Sequence, residues 1–254
     1  MEKTNISGAN LDSSIEKEGL RSVSDLLKDA WVIFAAGWTK FLLYFVILFA
    51  AIIVTVTAMV LLIMITMLTK SLVVILIAII VGVILAIIVF SVFALATNKL
   101  VYNIGEKKEG GIKSALAYGF NNFPSYILVM LISGILILVG LVFLIIPGII
   151  IGVMLSMVAP VFILEENHKL NALKRSRELI RGYWWPVFGR LVLLSFISGV
   201  ASSIRYVNPQ VASLTLLLSI IAIVINFILT YYGVAYIYLV YKDLVRIKGA
   251  IHPS

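Results

Sequence analysis

The sequence predicts an all-α integral membrane protein whose six transmembrane helices form three hairpins, each preceded by a cytoplasmic amphipathic elbow helix. Three observations predict this fold: the composition, the long uncharged runs and the one-sided distribution of basic residues. Of the 254 residues, 62% are hydrophobic and only 13% are charged. Soluble domains carry about 25% charged residues. Hydrocarbon is therefore expected to surround most of the chain.

Two long apolar runs, 41–69 and 71–98, are separated only by Lys70. A helix over 41–69 would be about 43 Å long, whereas the hydrocarbon core is about 30 Å thick. We expect this helix to tilt or protrude, and the two runs to form a tight hairpin.

The uncharged region that follows is long enough for two more spans, 125–145 and 147–164. Pro147 and Gly148 mark the break between them, because proline is tolerated in the first turn of a helix. Pro160 lies inside the fourth span and is expected to kink it.

The last two spans are predicted at 185–204 and 211–241, joined by a turn at "RYVNPQ". The membrane domain then covers 23–248. We expect 1–22 to be a flexible cytoplasmic tail and 249–254 to be a short C-terminal tail.

The basic residues predict the orientation. With these spans, Lys70 and Arg205 are the only two of the 20 Lys and Arg that fall on the outer side. Basic residues in short loops favour the cytoplasmic side. The sequence therefore predicts an inner (cytoplasmic) membrane protein with both termini in the cytoplasm.

Each hairpin follows a segment with an apolar stripe or an aromatic end, at 22–38, 111–123 and 168–185. Helices with one apolar face and one polar face lie in the headgroup plane. We interpret the three segments as elbow helices of parallel repeats. In the third, the basic side chains are predicted to contact anionic headgroups or a partner, with two tryptophans as depth anchors: Lys174, Arg175, Arg177, Arg181, Trp184 and Trp185.

The run 146–188 carries a recognisable order of residues: "IPG", a span ending in "APV" and a glutamate, then A-L-x-x-S-x-x-L-x-x-G-x-W-W. It resembles the membrane domain of bacterial glycerophosphoryl diester phosphodiesterases and related uncharacterised multi-pass proteins. In those phosphodiesterases catalysis belongs to a separate soluble α/β barrel. Few residues follow the last span here, so the resemblance implies membrane fold and location without the barrel.

The sequence offers little for catalysis. With no cysteine there is no thiol nucleophile or thiolate metal site, and the two histidines have no ligand partner at helical spacing. Glu165 and Glu166 are expected to cap a helix or to pair with Lys169 or Arg190. We predict no catalytic, metal or cofactor site and no nucleic-acid binding.

Two functions stay open. The first is a non-enzymatic scaffold that binds membrane lipid, anionic headgroups above all, or a membrane protein partner. The alternative is a transporter or permease for an apolar or lipid-like substrate, which a cavity between the hairpins would favour. Asn226 is the most polar residue within a span, and an interhelical hydrogen bond is its expected role.

Overall fold

A computed structural model describes residues 19–68, 71–165, 170–203 and 212–251. Within these ranges the chain is helical and contains no β-strand. The helices, in chain order, are α1 (Val23–Leu68), α2 (Leu72–Gly105), α3 (Ile112–Phe143), α4 (Ile145–Met154), α5 (Val158–Leu164), α6 (Asn171–Ile180), α7 (Trp184–Ser203) and α8 (Ala212–Ile251).

Length and composition make this a multi-pass membrane protein. In the described ranges, five helical stretches are long and apolar enough to cross a membrane: Val23–Leu68, Leu72–Gly105, Ile112–Phe143, Ile145–Leu164 and Leu218–Gly249. A sixth is reached if Asn171–Ile180 and Trp184–Val200, which meet at a bend of 102°, are counted as one.

Six of the helices form a closed ring. Each of α1, α2, α3, α4, α7 and α8 packs against the next in that order, and α8 returns to pack against α1. The short helices α5 and α6 pack against each other and against α2, α3, α4 and α8 at one end of the ring. This end is therefore filled by two extra helices.

We call the half of the bundle that contains α5 and α6 the polar half; it comprises residues 19–45, 91–129, 153–165, 170–190 and 227–251. The remaining described residues form the apolar half. The largest fully buried side chains of the described chain all lie in the polar half, among them Phe41, Tyr44, Tyr102, Phe162 and Tyr238. The apolar half exposes its side chains instead, up to 84% at Val142.

The first predicted elbow is not separated from its span. Ser22 caps α1, since its hydroxyl accepts a hydrogen bond from the Asp25 amide at 3.1 Å, and the helix then continues for 46 residues. No proline interrupts it. Gly37 lies within the helix, and the absence of a Cβ there lets the Ile104 and Phe41 side chains approach closely. The second elbow is also continuous with its span, because α3 runs through Pro124.

The turn between α3 and α4 explains the "IPG" sequence. Leu144 is extended, and α4 begins at Ile145, so Pro147 lies in the first turn. A Cβ built on Gly140 would lie 2.9 Å from the Gly148 Cα, and one built on Gly148 would lie 2.5 Å from the Leu141 side chain. The two helices approach this closely because both positions are glycine.

The predicted fourth span is broken rather than continuous. Helix α4 ends at Met154, a turn follows, and α5 begins at Val158, which places Pro160 in the first turn of α5. Proline has no N–H to donate to the carbonyl four residues earlier, so the hydrogen-bond ladder stops ahead of it.

The third predicted elbow has a helix of its own. Helix α6 ends at Ile180, and Gly182 adopts a φ of +90°, a left-handed conformation that glycine reaches without a steric penalty. The chain then turns by 102° into α7. The part of this elbow at 168–169 lies outside the described residues.

Candidate functional site

The polar half gathers the charged residues around the last turns of α8. Tyr241 donates to Glu165 after α5, and Lys242 donates to Glu106 after α2. Asp243 accepts from Arg21 before α1, and Lys248 donates to the Arg181 carbonyl after α6. Helix α8 is therefore the element that connects the polar ends of the bundle.

Asp243 is the most buried acid of this network, with 3% exposure. Its Oδ1 accepts a hydrogen bond from Arg21 Nε at 2.7 Å, and its Oδ2 accepts one from the Arg21 amide at 3.2 Å. Arg21 also bonds Asp29 at 2.7 Å. Residues 1–18 of the predicted flexible tail lie outside the described residues, but the end of that tail is fixed at Arg21.

Arg190 differs from its expected placement. We expected this side chain as a possible partner of Glu165 or Glu166, but it is 9% exposed and points into the protein. Its Nη2 donates to the Arg21 carbonyl at 2.7 Å and its Nη1 to the Pro186 carbonyl at 3.0 Å. The N-terminal segment supplies one of these two carbonyls, so both terminal nitrogens of Arg190 have acceptors inside the bundle.

Glu165 pairs with residues that the sequence did not indicate. Arg175 Nε donates to its carboxylate at 3.0 Å, and the Tyr241 hydroxyl donates at 3.0 Å. Glu165 thus links the end of α5 to α6 and α8. Its predicted partner Lys169, together with Glu166 and His168, lies outside the described residues.

Glu106 bridges two lysines at the end of α2. Burial acts to raise the pKa of its carboxyl, but hydrogen bonds from Lys108 and Lys242 outweigh that effect and lower the pKa below its usual value. The carboxylate is therefore ionised at neutral pH and holds α8 to the connector after α2.

Helix α6 has one buried face and one charged face. Ala172, Ser176, Leu179 and Ile180 are buried. Three of the four predicted contact cations, Lys174, Arg177 and Arg181, are exposed. The fourth, Arg175, is occupied by Glu165, so it is a structural residue of the network.

Two side chains fasten this region to the broken helix. The Ser176 hydroxyl donates to the Met154 carbonyl at 2.7 Å. That carbonyl would accept from the Val158 amide in a continuous helix, but the Val158 amide bonds Leu155 instead. Trp184 Nε1 donates to the Ile150 carbonyl at 3.3 Å. The serine of the 146–188 pattern thus supplies a donor at the end of α4, and the tryptophan adds a second link to that helix.

The two predicted anchors have different environments. Trp184 is half-buried and stacks on Phe188 with ring centroids 5.0 Å apart. Trp185 is 74% exposed and meets Trp184 edge to face. Only Trp185 therefore presents most of its ring to the surroundings of the bundle.

Apolar grooves open between the helices. A groove of about 800 Å³ separates α4 from α7 and is lined by Gly152, Ser195 and Gly199 among other residues. A Cβ added to Gly152 or Gly199 would meet nothing within 4 Å, so neither glycine is in close contact with a neighbouring helix.

A second cavity, of about 420 Å³, lies between α1, α2 and α8. Its polar side chains are Thr55, Thr97, Asn98 and Thr230, and each donates a hydrogen bond to a carbonyl of its own helix. Asn226 does the same toward Ala222, rather than forming the interhelical bond that we expected. The cavity wall is therefore mainly apolar.

Among the residues that the structure describes, no three His, Asp or Glu side chains converge as a metal site would require. No protein family, curated protein or solved structure matches this chain significantly.

Proposed function

We propose that this protein is a non-enzymatic scaffold of the inner membrane that binds anionic phospholipid on its cytoplasmic face through α6. The observation that carries the proposal is the 102° bend between α6 and α7. A helix at nearly a right angle to a spanning helix fits a position along the membrane surface, which supports the interpretation of α6 as an elbow helix.

The charges of α6 fit this placement. Its buried face packs on the bundle, while Lys174, Arg177 and Arg181 are exposed. Basic residues near an anionic surface contribute about 1 kcal/mol each. Trp185, exposed at the start of α7, is suited to the headgroup level, where tryptophan is enriched.

The network around Glu165 supports a structural role. Its carboxylate is paired with Arg175 and bonded by Tyr241, so both contacts join it to other parts of the fold. The resemblance to the phosphodiesterase membrane domain enters the proposal only as a link to phospholipid. We expect the purified protein to leave glycerophosphodiesters intact.

Tryptophan quenching by brominated lipid tests the proposal directly. The chain has four tryptophans, so Trp31→Phe with Trp38→Phe leaves only Trp184 and Trp185 as reporters. In vesicles with equal fractions of each lipid, brominated phosphatidylglycerol should quench more strongly than brominated phosphatidylcholine.

The preference should disappear in the double variant Lys174→Glu with Arg177→Glu. The matched control is Lys107→Glu with Lys113→Glu, which reverses two exposed charges at the connector between α2 and α3. Equal lipid preference in both double variants would contradict the proposed role of α6.

The cavity between α1, α2 and α8 favours a second candidate function, the transport of an apolar or lipid-like substrate. Its volume of about 420 Å³ falls in the range of small-molecule sites. We expect Ala94→Trp, at the cavity wall, to slow the translocation of a fluorescent lipid across reconstituted vesicles, and Val81→Trp, at an exposed position, to leave it unchanged. A wild-type protein that does not accelerate translocation would eliminate this candidate.

A further inference from the structure

A polar pocket of about 450 Å³ opens where the N-terminal segment meets α8. It is lined by Arg21, Lys242, Asp243, Val245 and Arg246. The cavities between the long helices have apolar walls, whereas this one is lined by four ionisable side chains. Its lining includes no residue of α6, so it is a separate feature.

The lining carries more positive than negative charge. Its one acid, Asp243, is buried and engaged by Arg21, while Arg246 approaches the same carboxylate at 4.0 Å. Lys242 bonds Glu106 yet keeps 48% of its side chain exposed, and Arg246 keeps 46%. Two cations can therefore reach an incoming ligand without leaving the positions that they hold.

A further buried cation increases the positive potential. Arg190 donates to the backbone carbonyl of Arg21, and its Nε has no hydrogen-bond partner in the described chain. Its recorded acceptors are neutral carbonyl groups. A positive charge without an acid partner inside a bundle is poorly screened and attracts an anion more strongly than in water.

We propose that this pocket binds the phosphate group of an anionic ligand, with Lys242 and Arg246 as its direct contacts and Arg21 as the cation at its base. Basic pockets between helices on the cytoplasmic side of a membrane bind phosphate headgroups, and arginine donates to phosphate through charge-assisted hydrogen bonds. The phosphate belongs to a phospholipid headgroup or to a soluble phosphate ester.

The site depends on residues other than those of α6, so it is independent of the proposed function. The apolar grooves between α1 and α8, of about 580 and 610 Å³, lie along the same pair of helices. They offer places for acyl chains, which favours the lipid as the source of the phosphate.

Binding to the purified protein in neutral detergent tests the inference, with two probes added separately: dioctanoyl phosphatidylglycerol and glycerol 3-phosphate. Affinity is measured from the shift in thermal unfolding. We expect Arg246→Gln to weaken binding about tenfold, which equals about 1.4 kcal/mol. Lys242→Gln should weaken it similarly, while Lys113→Gln, at an exposed position in the first turn of α3, should retain the wild-type affinity.

The two probes distinguish the sources. Binding of the lipid alone assigns the pocket to a headgroup, and binding of both probes with the same sensitivity to Arg246→Gln assigns it to phosphate esters in general. The inference is overturned if neither probe binds the wild-type protein, or if Arg246→Gln and Lys242→Gln both bind as tightly as Lys113→Gln.

Discussion

The polar half and the apolar half of the bundle are built from the same long helices but are held together differently. In the polar half, aromatic side chains such as Tyr102 and Tyr238 are fully buried and stacked, with centroids 5.2 Å apart. In the apolar half, side chains such as Leu68 and Phe143 are 82% and 78% exposed.

The difference shows where tertiary structure is determined. Lipid tails are as apolar as leucine, so the apolar half gains little by burying its side chains, and packing and hydrogen bonds supply the association energy. These contacts are concentrated in the polar half, where α5, α6 and the ion pairs lie. We therefore expect variants in the polar half to affect stability and equivalent variants in the apolar half to be tolerated.

The largest effect is expected for Phe162→Ala. Phe162 is fully buried and meets Tyr126 edge to face at 5.5 Å, and truncating a buried phenylalanine costs about 3–5 kcal/mol. The matched variant in the apolar half is Phe143→Ala, which should change the thermal midpoint little. Equal losses in detergent-solubilised protein would remove the distinction between the two halves.

Asp243→Ala should cause the next largest loss of stability. Removing one partner of a fully buried ion pair costs about 3–5 kcal/mol, but Arg21 is 32% exposed and water can compensate its charge. We therefore expect a loss of about 2 kcal/mol. Asp29→Ala removes the other carboxylate that Arg21 binds. The Asp29 side chain is 48% exposed, so its loss should cost less than half as much in the same unfolding measurement.

Ser176→Ala should cost about 1–2 kcal/mol, because it removes the hydrogen bond that the fully buried Ser176 side chain donates to the Met154 carbonyl. The exposed Ser203 hydroxyl also donates to a carbonyl, that of Val200, so Ser203→Ala is the control. If both serine variants unfold at the wild-type temperature, Ser176 does not hold the broken helix.

The smallest effect is the pH dependence of Glu106. Its pKa is lowered in the folded protein, so its contribution is present above the ordinary glutamate pKa and is lost as the pH falls through the lowered value. The contribution should be below about 1 kcal/mol, because both lysines are largely exposed.

The variant Glu106→Gln isolates this contribution. It should be less stable than the wild type at pH 6 and equally stable once the acid is protonated. A difference between the two proteins that is independent of pH would mean that the lysine pairs do not contribute to stability.

The sequence predicts what depends on local pattern. The apolar runs identify the helices because hydrocarbon requires them, and Pro147 and Pro160 lie at observed helix starts. It does not predict partners that are distant in the chain: Arg21 and Asp243 are separated by 222 residues, and no periodicity connects them. The acceptor of Arg190, the Arg21 carbonyl, is also distant in the chain, 169 residues away, so the sequence did not indicate it.

The elbows show the same limit. All three segments have an apolar stripe or an aromatic end, but only the third is set off from its span by a bend. The residue at the bend is Gly182, which has a positive φ. The hydrogen bonds of Ser176 and Trp184 to α4 hold the helices on either side of this bend. The first segment has no such residue, and its helix continues without a break.

The central claim is that the polar half, with α6, faces the cytoplasm. The chain has no cysteine, so Lys174→Cys and Lys70→Cys each introduce a single reactive thiol, on α6 and in the predicted outer turn. In intact cells an impermeant maleimide should label position 70 and not position 174, and in inverted vesicles it should label position 174. Labelling of position 174 from outside intact cells would contradict the account.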